Sequence, residues 1–333
     1  MQRLDAYQRR HRWLGMPVAV VYKFLDDGGT YLAALITYYS FVSIFPLLLL
    51  LVTVLGYVLH GNDHLQQVIL HSALREFPII GDQIGQNVRS LHGSALGVIV
   101  GVLGSLYGGL GVANAGQYTS NTIWAVPHTR RPSVFALYGR SLTLLVIVGV
   151  GLIATTGLAG LTTTARPLPG LLGSGVDLLI RVGATVVATA INAGLFLLVF
   201  RALVARRVTL RQLWVGAVVA AVLWQALQEL GTFYVGHELR GVSATYGLFG
   251  IVLGLLAWIY LGALLFVLCS EINVVRVQRL WPRSLLTLFT DNVRLTAGDR
   301  RAYRGYATTE QRKGFEIIDV DFDEPEAPHD PSG

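Results

Sequence analysis

Apolar residues run through this chain in blocks too long for strands and too continuous for one face of a soluble helix. Six stretches, about 32–59, 95–115, 136–160, 177–200, 212–235 and 246–271, are rich in Leu, Val, Ile, Ala and Gly and nearly free of charge. A bilayer core of about 30 Å is crossed by roughly 20 apolar residues in a helix, and each stretch reaches that length. The pattern predicts an all-α fold: a polytopic membrane protein with six transmembrane helices and amphipathic interfacial helices. The first stretch is expected to be a true span rather than a cleaved leader, since about 30 residues precede it.

The segments between the spans carry a different pattern. Val18, Val21, Tyr22 and Leu25 recur at helical spacing behind Pro17, a favourable first helical residue. This predicts a short helix lying in the interface before Gly28-Gly29 releases the chain into the first span. Between residues 60 and 94, Asp63 with Gln66 resembles a capping box, and two amphipathic helices are expected on either side of Pro78. The predicted organisation is an N-terminal segment (1–30), a six-helix membrane domain (31–275) and a C-terminal segment (276–333). The last of these ends in an Asp/Glu/Pro-rich tail, from about residue 315, with the composition of disorder.

Composition sharpens the membrane assignment. Apolar residues make up 53% of the chain and charged residues only 14%, against about 25% charged in soluble domains. The net charge of +6 is a sum of unlike parts, +13 over residues 1–315 and −7 over the last 18. Twenty-one of the 26 Lys and Arg fall in the termini and in the loops on the same side as the termini, and five on the other side. By the positive-inside rule both termini are expected in the cytoplasm. The positive charge is thereby accounted for by topology and by anionic headgroups. No RNA-binding module accompanies it, so no nucleic-acid partner is expected.

Polar residues inside the spans are the candidates for function, because a charge at the bilayer centre costs at least ~3 kcal/mol. Arg181, Thr185, Thr189 and Asn192 line one face of the fourth span; Gln225, Gln228, Glu229 and Thr232 line one face of the fifth. Arg181 and Glu229 are expected at equal depth and facing one another, as a structural pair or as a substrate contact. At the other end Asn114, Gln117 and Asn121 form a stripe, as helix–helix glue or the lining of a wet vestibule. Arg140, Arg201 and Glu271 share a depth there, with Asn273 nearby, so that Glu271 can pair with either arginine. Pro46 removes a backbone hydrogen bond within the first span, and Ser43 can satisfy the freed carbonyl, making Pro46 and Ser43 a hinge or a static kink. Gly97/Gly101 and Gly104/Gly108 permit close helix packing.

Other chemistries lack their residues. The single cysteine, Cys269, excludes a disulfide framework and a cysteine-based zinc site. His60 and His64 have no tightly spaced third ligand, so no metal site is expected. There is no Gly-x-Ser-x-Gly, His-Glu-x-x-His or Walker A string, and neither a cofactor nor a catalytic site is predicted.

Several strings together resemble the YihY/BrkB family of bacterial inner-membrane proteins. They are Ala33-Ala34-Leu35, Tyr39-Ser40 and Ser43-Ile44-Phe45-Pro46 in the first span, and Asn121-Thr122-Ile123-Trp124-Ala125-Val126 after the second. Towards the C-terminus come Gly216-Ala217, Tyr234-Val235, Ser243-Ala244-Thr245-Tyr246-Gly247, Trp258-Ile259-Tyr260-Leu261 and Glu271-Ile272-Asn273. The resemblance spans about residues 25–275; Cys269-Ser270 departs from the commoner glycine and alanine. It implies a multi-pass envelope protein associated with moving lipids or lipid-linked material. Members have been labelled ribonuclease BN, but the zinc nuclease of that name uses a His-x-His-x-Asp-His site that this sequence lacks. The expected function is translocation or export of a lipid or lipid-linked anion, with membrane lipids as partners. The alternative is a non-transporting scaffold for envelope-assembly proteins, and ribonuclease activity is not expected.

Overall fold

The computed structural model describes residues 7–8, 11–58, 95–164, 174–237, 247–288 and 293–323, in parts of the helices as backbone alone. The described residues are helical and contain no strand. A short helix α1 (Arg12–Asp26) leads into α2 (Gly29–Val58). Then come α3 (Ala95–Ile123), α4 (Val134–Thr164), α5 (Ser174–Leu203), α6 (Leu210–His237) and α7 (Gly247–Gln278). A final helix, α8 (Ala297–Thr309), follows. The helices α2 to α7, 28 to 32 residues each, coincide with the six apolar stretches. They run beyond the apolar windows because the intrahelical ladder continues to satisfy the backbone past the hydrocarbon edge. Among the described residues, Thr185–Leu203, Leu210–Gly231 and Val252–Gln278 are long and apolar enough to cross a membrane. Gly29–Ile44 and Phe135–Gly151 are shorter apolar helices. The predicted helices between residues 60 and 94 lie outside the described residues.

The helices pack in chain order, α2 on α3, α3 on α4, α4 on α5, α5 on α6 and α6 on α7. Helix α7 closes back onto α2 and also carries α1. Large apolar side chains face outwards along this ring, for example Phe135, Tyr138, Leu142, Val146 and Val150 on α4. A continuous exposed apolar stripe is what a lipid-facing helix presents. The buried core is concentrated where α1, the α3 C-terminus and the inner turns of α5, α6 and α7 converge, around Ala19, Ile123, Trp124, Phe200, Leu213, Val267 and Val274.

The tightest helix pair is made by glycines. A Cβ on Gly104 would lie 2.6 Å from Pro46, one on Gly111 would lie 2.5 Å from the Tyr39 ring, and one on Gly108 would collide with Ser43. Gly104, Gly108 and Gly111 thus meet Pro46, Ser43 and Tyr39 in antiparallel register, as small-residue helix packing requires. Replacing Gly108 by valine is expected to lower stability by about 1–3 kcal/mol through overpacking. The check is the midpoint of thermal unfolding of purified protein in detergent. Helix α2 continues through Pro46. The Ser43 hydroxyl donates to the Ser40 carbonyl at 2.9 Å, not to the Val42 carbonyl that Pro46 leaves free.

Helix α1 starts at Arg12, with Pro17 inside it rather than at its start. Its predicted apolar face divides in two. Val21 and Leu25 are exposed, whereas Tyr22 turns into the bundle and donates its hydroxyl to the Leu285 carbonyl at 2.8 Å. Gly28 takes φ +64°, the left-handed backbone that lets the chain turn from α1 into α2.

Candidate functional site

Arg140 stands two turns into α4 and Arg201 near the end of α5, and antiparallel packing of the two helices brings them to the same end of the bundle. The loop 204–209 then crosses to α6 carrying Arg206 and Arg207. Together these elements wall a cavity of about 670 Å³ lined by Arg140, Arg201, Arg206 and Arg207. Ile147 and Leu198 continue its wall further along α4 and α5. The Arg201 Nη1 donates to the Val208 carbonyl at 3.1 Å and the Asn121 Oδ1 accepts the Ala205 N–H at 2.8 Å, so both ends of the loop are held. Thr209, also in the wall, precedes the first turn of α6; its N–H donates to the Gln212 Oε1 at 2.9 Å. The partial positive charge of that helix start adds to the field of the guanidiniums. Among the described residues no carboxylate lines the cavity. None of the four arginines belongs to an ion pair among the described residues. The Arg140 Nη1 is buried without a hydrogen-bond partner. Such a site attracts anions, and its forks match phosphate oxygens.

The other sequence-predicted residues fall in three places. Asn114 and Gln117 join α3 to α4: Gln117 Nε2 donates to the Ser141 hydroxyl at 2.8 Å, and that hydroxyl donates to Asn114 Oδ1 at 2.8 Å. Asn273 joins α7 to α6, its Oδ1 accepting the Gly216 N–H at 2.8 Å where a Cβ on residue 216 would strike the Asn273 side chain. At the far end, Glu229 is exposed and accepts from Gln225 on its own helix at 3.4 Å, while Asn192 and Gln228 are half-buried. The Arg181 side chain, and with it the expected Arg181–Glu229 pair, lies outside the described residues.

Glu271 has a partner other than the two arginines expected for it. It is wholly buried on α7, 3.9 Å from the Lys23 Nζ of α1. Lys23 is itself buried, in direct ion-pair contact with Asp27, and lies 4.9 Å over the Tyr306 ring. The reason is the helix ring: α7 sits beside α1 and α2, whereas Arg140 and Arg201 belong to α4 and α5.

A second charged layer adjoins this one, made by residues that sequence reasoning missed. Arg283, fully buried, donates from Nε to Asp299 at 2.5 Å and from Nη2 to Asp26 at 2.9 Å. It stands over the Tyr22 and Tyr303 rings at 5.7 and 5.4 Å. Burial works to lower the Arg283 pKa, but the Asp26 and Asp299 carboxylates outweigh it and hold it above the ordinary arginine value. Burial, reinforced by the Asp27 and Asp26 carboxylates, raises Tyr306 well above an ordinary phenol, and its hydroxyl donates to Asp26 at 3.1 Å. Asp299 also completes a capping box with Thr296 at the start of α8. That box, Thr296-x-x-Asp299, was the available sequence signal. Residues 279–288 and 293–309 therefore do not hang from the last span; they fold back onto α1.

Described this way, the chain is an all-helical membrane protein with an anion-attracting cavity at one end of its bundle. Its sequence matches the profile of the Virulence factor BrkB family over residues 20–285, and the protein belongs to that family. It is 25% identical over 252 residues to the ribonuclease-like protein YfkH of Bacillus subtilis (strain 168), covering 74% of this chain and 90% of that one. It is 29% identical over 273 residues to a UPF0761 membrane protein of Azotobacter vinelandii, covering 79% of this chain and 64% of the relative. The match to a UPF0761 membrane protein of Pseudomonas aeruginosa (strain LESB58) is 27% over 280 residues, 80% of this chain and 64% of that one. The chain thus spans just under two thirds of the length of these two UPF0761 relatives. No solved structure matches it. Among the described residues no three His, Cys, Asp or Glu side chains are grouped as metal ligands.

Proposed function

We propose that this protein is a six-span inner-membrane protein of the bacterial envelope, with both termini cytoplasmic, that binds and translocates a lipid or lipid-linked anion. The observation that carries the reading is the arginine cavity. Its guanidiniums stand at the end of the bundle where the basic loops lie, and its wall continues along α4 and α5 through apolar Ile147 and Leu198. A charged mouth below an apolar wall suits a molecule with an anionic head and a hydrocarbon tail, and basic pockets between membrane helices on the cytoplasmic side hold anionic headgroups. Arg140 and Arg201 are the binding residues in this reading. Asn121 holds the loop that carries Arg206 and Arg207. Asn114, Gln117, Asn273 and Glu271 set the helices in place, and the far-end polar residues Arg181, Asn192, Gln225, Gln228 and Glu229 continue the route across the membrane.

The test is transbilayer movement of a fluorescent phosphatidylglycerol in liposomes holding the purified protein, with and without a proton gradient. The protein is expected to accelerate it, and an Arg140→Gln/Arg201→Gln variant to lose about tenfold or more of that rate, as for lost charge-assisted hydrogen bonds. Liposomes that move no labelled lipid in either condition, while the protein remains folded, would overturn translocation.

A further inference from the structure

The charge balance of the cavity says more than that its ligand is anionic. Resting on the reading of this cavity as an anionic-lipid site, we infer that its ligand carries two phosphoryl groups, as in a lipid diphosphate or a diphosphatidyl headgroup, and not one phosphodiester.

Among the described residues four guanidiniums line the space, no carboxylate does, and none of the four is neutralised by an ion pair. A phosphodiester brings one negative charge and two free oxygens, which one or two arginine forks satisfy. The remaining guanidiniums would stay uncompensated beside it. Two phosphoryl groups bring at least two charges and four free oxygens, enough to engage forks from α4, α5 and the 204–209 loop at once.

Burial points the same way. Arg201, Arg206 and Arg207 are exposed and can be served by water, but the Arg140 Nη1 is buried and unpartnered. Arg140, half-buried in the wall, meets one group deep in the cavity, while the exposed three receive a second group nearer the mouth. Space allows both. The cavity, of about 670 Å³, is far larger than a single phosphate. The start of α6 at Thr209 adds a further positive end to the same wall.

The experiment measures binding to full-length protein in neutral phosphatidylcholine nanodiscs at fixed ionic strength. The probes are farnesyl diphosphate, farnesyl monophosphate, cardiolipin, phosphatidylglycerol, inorganic pyrophosphate and inorganic phosphate. The two-phosphoryl lipids are expected to bind about tenfold or more tightly than their one-phosphoryl counterparts. Arg140→Gln should erase most of that ratio. Arg207→Gln, at an exposed loop position that does not threaten folding, should reduce it, and Arg140→Lys should restore charge but not the ratio, having lost the fork. Equal binding of one- and two-phosphoryl lipids overturns this inference and leaves the anionic-lipid reading standing. Failure of every lipid probe to bind overturns the reading itself. Inorganic pyrophosphate binding as tightly as farnesyl diphosphate keeps the two-phosphoryl chemistry but assigns it to a soluble ligand, against the lipid reading. A ratio that survives in both Arg140→Gln and Arg207→Gln places the site elsewhere and refutes the assignment.

Discussion

Arg283→Ala is expected to cost about 3–5 kcal/mol, because it leaves the buried Asp299 carboxylate and its neighbour Asp26 without their cation. The loss should be local before it is global. Arg283 links α1, through Asp26, to α8, through Asp299, so its loss removes the ionic contact between them and leaves α8 to Tyr306 and the buried Ala302. Limited proteolysis should cut the variant early within residues 276–309, ahead of the membrane helices, and the first thermal transition should fall. Adding Asp299→Asn to Arg283→Ala removes the stranded charge and should recover part of the deficit, a coupling that a double-mutant cycle reads directly. Full resistance to proteolysis in Arg283→Ala would show that α8 is held by its other contacts, such as those of Tyr306 and Ala302.

Lys23→Met is the second large effect, of similar size at neutral pH, and it carries a pH signature. Burial raises the Asp27 carboxyl above its ordinary value, and the Lys23 ammonium offsets this only in part. A carboxyl whose folded pKa exceeds its unfolded one holds its proton more tightly in the folded state. Its contribution to stability is therefore present below the ordinary carboxylate pKa and is lost as pH rises through the folded value. Removing Lys23 removes the offset and pushes the folded value higher still. The deficit of Lys23→Met should be largest at neutral pH and above and should shrink on acidification, because the carboxyls around the vacated site take up protons. Thermal midpoints of both proteins measured from about pH 5 to 8 test this. A deficit constant across that range would show that Lys23 acts by packing rather than by charge.

These two positions show how unevenly the fold was written in the chain. The six membrane-length stretches were legible because apolar length is a local property, and α2 to α7 lie where the stretches do. The Gly104/Gly108 pair on α3 was legible too, since only small residues let two helices meet as closely as Gly108 meets Ser43. Helix α8 was not read. It is polar on most of its surface and its apolar stripe, around Ala302 and Tyr306, is short, and the capping box at Thr296 and Asp299 is a weak signal until a partner is known. The partner, Arg283, looked like one more cytoplasmic positive charge.

The candidate site divides along the same line. Arg140, Arg201 and Glu271 were placed at a common depth from sequence, and depth is a matter of counting residues at 1.5 Å each along a helix. Which of them meet depends on the position of each helix around the bundle, and that no residue count supplies. The closure of α7 onto α1 and α2 gave Glu271 to Lys23; the pairing of α4 with α5 left Arg140 and Arg201 to share a cavity with Arg206 and Arg207. By itself the sequence determined that this is a helical membrane protein, where its long helices lie and which polar residues they carry, because each follows from local hydrophobicity and spacing. Only the tertiary structure decided which charges neutralise one another and which four arginines stand together without a counter-ion among the described residues, because that depends on how helices distant in the chain pack side by side.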